Sequence, residues 1–174
     1  LYSDTRYFET IYNEVRDKHV VVYGSKESIE KLMSRDDDFF EKDTDFASIH
    51  NEDLTDHNSY FELIYGGENR AYNTNLIGDY NVENIVAAII SSLLIGIPND
   101  QIRSSIRDVY VPGRLQVYHW KDRTFMIDYA HNYISMYRLY EMVKKTMKPK
   151  SITVVFGCGG ERYKKRRELS LIHI

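Results

Sequence analysis

Two short stretches combine residue types that could do chemistry. Asp128 and His131 stand at the end of an apolar run, Thr124 to Tyr129. A second apolar run, Ser151 to Phe156, leads into Gly157-Cys158-Gly159-Gly160-Glu161-Arg162. A carboxylate at Asp128 can accept hydrogen bonds from a ribose hydroxyl pair, and an imidazole at His131 can donate to phosphate. The same carboxylate could instead cap a following helix, and the same imidazole could be structural. The glycines let backbone approach an anion, although the run matches neither the phosphate-loop nor the dinucleotide pattern. Arg162 is followed by Lys164, Lys165, Arg166 and Arg167. Arginine clamps carboxylates and phosphates through paired N–H groups, while a solvated basic helix start is the plainer reading of the lysines. Cys158 has no companion feature that would mark it as a nucleophile. Upstream, Asn81 and Asn84 open the segment Gly78 to Pro98. Free N–H groups and a positive dipole end make a helix start a place where polar side chains meet ligands, or where Asn81 merely caps the helix.

These residues need elements to hold them. Val82 to Ile97 is interrupted only by Glu83, Asn84, Ser91, Ser92 and Gly96, which predicts a helix buried on nearly every face. Gly78-Asp79 supplies its start, and Gly96 and Pro98 its stop. Before it, Thr5 to Asp17 has helical spacing, and His19 to Tyr23 reads as a buried strand. Ser25 can cap a helix with Ile29, Leu32 and Met33 inward. Asp45 to Leu54 and Ser59 to Tyr65 read as strands, with a turn at Gly66-Gly67-Glu68-Asn69 into Ala71 to Ile77. Asp36, Asp37, Asp38, Glu41, Asp43 and Asp45 follow no calcium-loop spacing and read as a solvated loop.

After the central helix, Asn99 or Asp100 is expected to cap a helix with Ile102, Ile106 and Val109 inside. Val111-Pro112-Gly113-Arg114 breaks the pattern and marks a boundary, giving units 1–111 and 112–174. Beyond it, Leu115 to Trp120, Thr124 to Tyr129 and Ser151 to Phe156 are expected strands, and Tyr133 to Lys148 an expected helix. Two apolar runs flanking a helix predict parallel strands with a right-handed crossover. In such sheets ligands collect beyond the carboxyl ends of the strands, which is where Asp128, His131 and the glycine run fall.

Bulk composition narrows the classes. The 174 residues are 43% hydrophobic, enough for one domain or two small ones. A formal charge of −3 gives no case for nucleic acid as a partner. The longest apolar segment is too short and interrupted to predict a membrane span. One cysteine excludes an internal disulfide and fits a reducing compartment, the cytoplasm. The chain opens without methionine and without a signal peptide, as expected of a piece of a longer protein.

In order, the chain carries Gly-x-Tyr-Asn-x-x-Asn-x-x-Ala-Ala, Val-Pro-Gly-Arg, Asp-Tyr-Ala-His and Phe-Gly-Cys-Gly-Gly-x-Arg-x-x-x-Lys-Arg, over Gly78 to Arg167. This succession resembles the Mur ligase family, ATP-dependent amide-bond ligases of peptidoglycan synthesis. Within the family it is most similar to the branch that adds a third amino acid, lysine or diaminopimelate, to UDP-MurNAc-L-Ala-D-Glu. The resemblance implies an α/β fold: the latter part of a central ATPase domain, followed by the start of a Rossmann-like C-terminal domain. It implies that Asn84 contacts adenine and that Arg114 and Asp128 hold ribose and phosphates, with His131 beside them. It implies that Arg162 meets the carboxylate of the incoming amino acid. The partners implied are a UDP-muramyl peptide and an amino acid, and the cofactors are ATP and Mg²⁺.

The departures are also informative. No Gly-x-x-x-x-Gly-Lys-Ser/Thr loop occurs in this chain. The resemblance therefore places the phosphate loop, the magnesium ligands and the family's carbamylated lysine upstream of Leu1, and leaves this piece inactive by itself. The downstream motif that selects the third amino acid is also expected outside the chain. His131-Asn132-Tyr133 replaces the usual His-Thr-Pro, an asparagine after that histidine being seen also in related folate and cyanophycin ligases, and Tyr163 replaces an aspartate. Leu171 to Ile174 do not continue the pattern.

Overall fold

The computed structural model describes residues 1–4, 7–35 and 39–157. They belong to two units, Leu1–Val109 and a second that begins at Tyr110.

The first unit is built on a mixed sheet. The β-branched run of β1 (Val20–Ser25) pairs in parallel with β2 (Thr44–Leu54). β3 (Ser59–Tyr65) and β4 (Glu68–Thr74) follow antiparallel, in the order β1-β2-β3-β4. Gly66 and Gly67, with φ of +61° and +77°, form the two-residue connection between β3 and β4. A tight hairpin of this twist requires positive φ at both positions. Beside β1, the first residues add a further bridge, Tyr2 to Tyr23. There a Cβ on Gly24 would sit 1.8 Å from Ser3 Oγ, so a larger residue would require the Ser3 side chain to move.

Side-chain alternation along the strands gives each face its own layer. Val21, Ala47, Ile49, Phe61, Leu63 and Tyr72 share a core with two helices, α3 (Asp79–Leu94) and α4 (Asn99–Arg107). Val20 and Val22 point the other way, into Phe8, Tyr12 and Ile29 of α1 (Phe8–Val15) and α2 (Lys26–Met33). Ser25 caps α2 as expected, accepting Ser28 N–H at 3.2 Å. Next to β3 and β4 the outer face is polar. Glu62 accepts from Asn69 (2.9 Å), Asn51 (3.0 Å) and Tyr60 (3.1 Å). The bond from Asn69, then those from Tyr60 and Asn51, hold its carboxyl below the usual range. Asp36, Asp37 and Asp38 lie outside the described residues.

α3 stops where the sequence says it should. Gly96 takes φ +82°, Gly96 N–H bonds to Leu93 O, and Ile97 N–H bonds to Ser92 O. These two bonds are the Schellman pattern, with Pro98 barring continuation. The expectation of burial on nearly every face is corrected. Val82, Ile85, Val86, Ile89 and Ile90 are buried, whereas Asn84, Ala88, Ser91, Leu94 and Ile95 form an exposed side. The sheet covers only one side of α3, so an apolar residue type alone did not decide burial. The α4 cap is corrected too. Pro98 occupies the cap position, and the Asn99 carboxamide instead accepts the Tyr72 hydroxyl at 2.7 Å.

In the second unit, β5 (Gln116–Trp120) and β6 (Arg123–Ile127) form an antiparallel hairpin. α5 (Tyr133–Met142) then passes into a π-helical turn, Val143–Met147, which ends at Lys148 with φ +46° before Pro149. The expected strand at Ser151 to Phe156 is not formed. A strand exists through ladder pairing, and no described segment pairs with this one, so no parallel β-α-β unit is present among the described residues.

Two outcomes follow. Ile89→Ala should destabilise the first unit by about 3 kcal/mol, as truncation of a fully buried side chain does; Leu94→Ala, on the exposed side, should cost less than about 0.5 kcal/mol. Urea unfolding followed by circular dichroism checks both. The depressed Glu62 pKa means its contribution is present above the unfolded glutamate pKa and is lost as pH falls through the lower folded value. A carboxyl NMR titration should place Glu62 below ordinary glutamates, and Asn69→Ala should move it back up.

Candidate functional site

Three of the five expected site residues lie close together in the second unit. Asp128 follows β6, and both its oxygens are used. Oδ2 accepts Leu115 N–H at 2.9 Å and Oδ1 accepts Ala130 N–H at 2.7 Å. It does not cap α5: Asn132 does, accepting Ser135 N–H at 2.9 Å in a reciprocal capping box. Asp128 thus ties the backbone after Arg114 to the backbone before His131. Leu115 is buried with φ +46°, a left-handed conformation that is costly for a residue with a Cβ. Its bond to Asp128 helps hold that conformation.

Arg114 is brought to the same place. Val111-Pro112-Gly113-Arg114 is a tight turn, with Arg114 N–H on Val111 O at 3.0 Å and Gly113 at φ +72°. Proline second and positive-φ glycine third make it a type II turn. The guanidinium lies over the Tyr129 ring, 4.7 Å from its centroid, a cation–π contact. Tyr129 in turn meets the His131 ring at 5.1 Å, tilted by 47°, and its carbonyl lies 3.2 Å from His131 Nδ1. Arg114, Tyr129 and His131 therefore form a solvent-facing column beside Asp128. No described side chain accepts from the Arg114 guanidinium, so its N–H edge faces solvent. Arginine presents such an edge to phosphate.

The arrangement can bind an anion through Arg114, with His131 at the other end of the column. A lone pair on each Asp128 oxygen is left to accept a hydroxyl. Tyr129 lies in Asp-Tyr-Ala-His between two expected site residues, and its aromatic type is the signal the sequence carries for its part in the column.

The other two expected residues are elsewhere. Asn84 is on the exposed side of α3 in the first unit and has no hydrogen-bond partner among the described residues. The next residue above it on that side is Ala88, whose methyl leaves the carboxamide uncovered. Asn81 differs, being tied back to Ile77 O at 2.8 Å. Arg162, Cys158 and the glycines at 159 and 160 lie outside the described residues. Among the described residues, no group of three or more His, Cys, Asp or Glu side chains could hold a metal, and no helix is long and apolar enough to cross a membrane.

The family described as "Mur ligase, glutamate ligase domain" matches residues 113–171. The chain is 33% identical over 150 residues to the UDP-N-acetylmuramoyl-L-alanyl-D-glutamate–2,6-diaminopimelate ligase of Aquifex aeolicus, covering 86% of this chain and 27% of that one. It is 30% identical over 141 residues to the UDP-N-acetylmuramoyl-L-alanyl-D-glutamate–L-lysine ligase of Streptococcus thermophilus, covering 80% and 28%. The chain thus spans about a quarter of the length of these curated relatives. Among solved structures, the folylpolyglutamate synthetase of Lactobacillus casei superposes with a TM-score of 0.64 over 99% of this chain and 46% of that one, at 16% identity. A diaminopimelate ligase structure superposes with a TM-score of 0.52 over 88% and 34%, at 23% identity. These superpositions show a shared α/β fold.

Asp128→Ala should leave the Leu115 and Ala130 N–H groups without acceptors, at a cost of about 1–3 kcal/mol. Amide hydrogen exchange checks this. Exchange should speed at Leu115 and Ala130 first, while the Ser135 amide, held by Asn132, changes less.

Proposed function

Because this chain belongs to the Mur ligase family, we propose that it supplies part of the nucleotide site of an ATP-dependent acid–amino-acid ligase. Residues up to about 111 are the latter part of its central ATPase domain, and the remainder begins its C-terminal ligase domain. The substrate class is a UDP-muramyl peptide ending in D-glutamate, and the incoming amine is that of lysine or diaminopimelate. The D-glutamate carboxylate attacks the γ-phosphorus of ATP, forming an acyl phosphate and releasing ADP. The amine then attacks the acyl carbon, forming the amide and releasing phosphate and a proton. Such catalysis rests on positioning and on neutralising phosphate charge. The compartment is the cytoplasm, where ATP is available.

Each residue has a proposed part. Asn84 offers its carboxamide to adenine. Arg114 offers its guanidinium to phosphate, and Asp128 a carboxylate oxygen to a ribose hydroxyl. His131 completes the polar end of the column, and Arg162 meets the carboxylate of the incoming amino acid. Mg²⁺ would neutralise phosphate charge when bound. The observation that carries the reading is the column Arg114–Tyr129–His131 beside Asp128, assembled from one short stretch of sequence between Arg114 and His131. A folylpolyglutamate or cyanophycin-type ligase is the second reading, favoured by asparagine after His131. Asn132 is engaged as the α5 cap, so a structural requirement already accounts for it.

The chain alone should release no phosphate from ATP, with UDP-MurNAc-L-Ala-D-Glu and either amino acid, above an Arg114→Ala/Asp128→Ala double variant. In the full-length protein carrying this sequence, Arg114→Ala should lower kcat/KM for ATP by about 100-fold, the scale of a lost charge-assisted phosphate contact. Equal phosphate release by the full-length protein and its Arg114→Ala variant would refute the assignment.

A further inference from the structure

We infer that Gln116 is a positioning residue that presets Arg114 for the nucleotide. This rests on the proposed contact between Arg114 and phosphate, and it concerns how that contact is prepared. Arg114 ends a surface turn, and a bare four-residue turn held by one backbone bond leaves its last side chain free to move. In this protein the turn is braced. The Gln116 carboxamide accepts Gly113 N–H through Oε1 at 2.9 Å and donates to the Tyr110 hydroxyl through Nε2 at 2.6 Å. One side chain thereby fastens the residue before the turn to the third residue within it. From the far side, Asp128 Oδ2 holds Leu115 N–H at 2.9 Å. Arg114 is flanked by two fixed peptide groups, and its guanidinium is steadied on Tyr129 at 4.7 Å.

The chemistry of the brace is specific. It needs an acceptor toward Gly113 and a hydrogen-bonding group toward the tyrosine hydroxyl. Glutamate meets both needs, since one carboxylate oxygen accepts the N–H and the other accepts the O–H. Leucine, of similar volume, meets neither. Gln116 is half-buried and touches no proposed ligand group itself. Its effect runs through preorganisation: ordering paid in the free protein need not be paid on binding. The consequence falls on ATP and spares the other substrates.

The test compares Gln116→Leu, Gln116→Glu and Arg114→Ala in the full-length protein, with steady-state kinetics for each substrate and thermal unfolding. Gln116→Leu should raise KM for ATP about ten-fold, the scale of losing one or two neutral hydrogen bonds that order a ligand-binding group. KM for the UDP-muramyl peptide and Tm should stay near their original values. Gln116→Glu should restore KM for ATP to within about two-fold. The inference is overturned if Gln116→Leu leaves KM for ATP unchanged while Arg114→Ala raises it. It is overturned equally if Gln116→Leu raises every KM and lowers Tm together, with no rescue by glutamate. If Arg114→Ala leaves KM for ATP unchanged, the functional reading itself fails and this inference falls with it.

Discussion

One carboxylate organises the second unit. Asp128 accepts a backbone N–H from Leu115 and another from Ala130, joining two segments thirteen residues apart in sequence. Without it, the left-handed Leu115 would lose the bond that supports its conformation, and the turn bearing Arg114 would lose its anchor to the strand end. The site is therefore mostly a backbone construction. Arg114, Tyr129 and His131 share a neighbourhood because the peptide groups around them are pinned, and the side chains then stack on one another. The same carboxylate is well placed to accept a hydroxyl, since each oxygen keeps a lone pair. A residue of this kind joins a structural and a ligand-facing role, and substituting it alters both.

The first unit works through a different constraint. Its sheet is covered on one face by α3 and α4, and over β1 and β2 by α1 and α2 on the other. That packing fixes the rotation of α3, burying Val82, Ile85, Val86, Ile89 and Ile90. Asn84 is consequently turned outward. The hydrophobic core thus sets the direction of a polar residue to which it makes no use of its own. Gly78 at φ +92° begins the helix and Gly96 at φ +82° ends it, so the length of the element is set by two glycines.

Features governed by local chemistry were legible in the sequence. Ser25 as a cap, Gly66-Gly67 as a hairpin turn, β3 from Ser59 to Tyr65, and the stop at Gly96-Ile97-Pro98 each depend on a few adjacent residues. So does the gathering of Asp128 and His131 at the end of one strand. Features decided by distant partners were not legible. Asn99 or Asp100 is the cap the sequence suggests, but Pro98 takes that position and Tyr72, from β4, claims the Asn99 side chain. Leu94 and Ile95 are as apolar as Ile89 and Ile90, and only the position of the sheet separates them. Ser151 to Phe156 has the composition of a strand, yet composition supplies no pairing partner. The parts of Tyr129 and Gln116 are hidden in the sequence for the same reason. Neither has a distinctive type or spacing, and their parts emerge only when Arg114 and Tyr110 are seen beside them. The family resemblance depends on order and spacing along the chain, which burial and strand pairing do not alter.

The central claim is that the Arg114–Tyr129–His131 column beside Asp128 meets a nucleotide. The most direct measurement is a titration of ADP into the full-length protein, with the arginine guanidinium groups and histidine rings isotopically labelled and observed by NMR. The Arg114 guanidinium and the His131 ring should shift together, along curves with one dissociation constant. ADP binding that leaves both unmoved, or two separate dissociation constants, would contradict it.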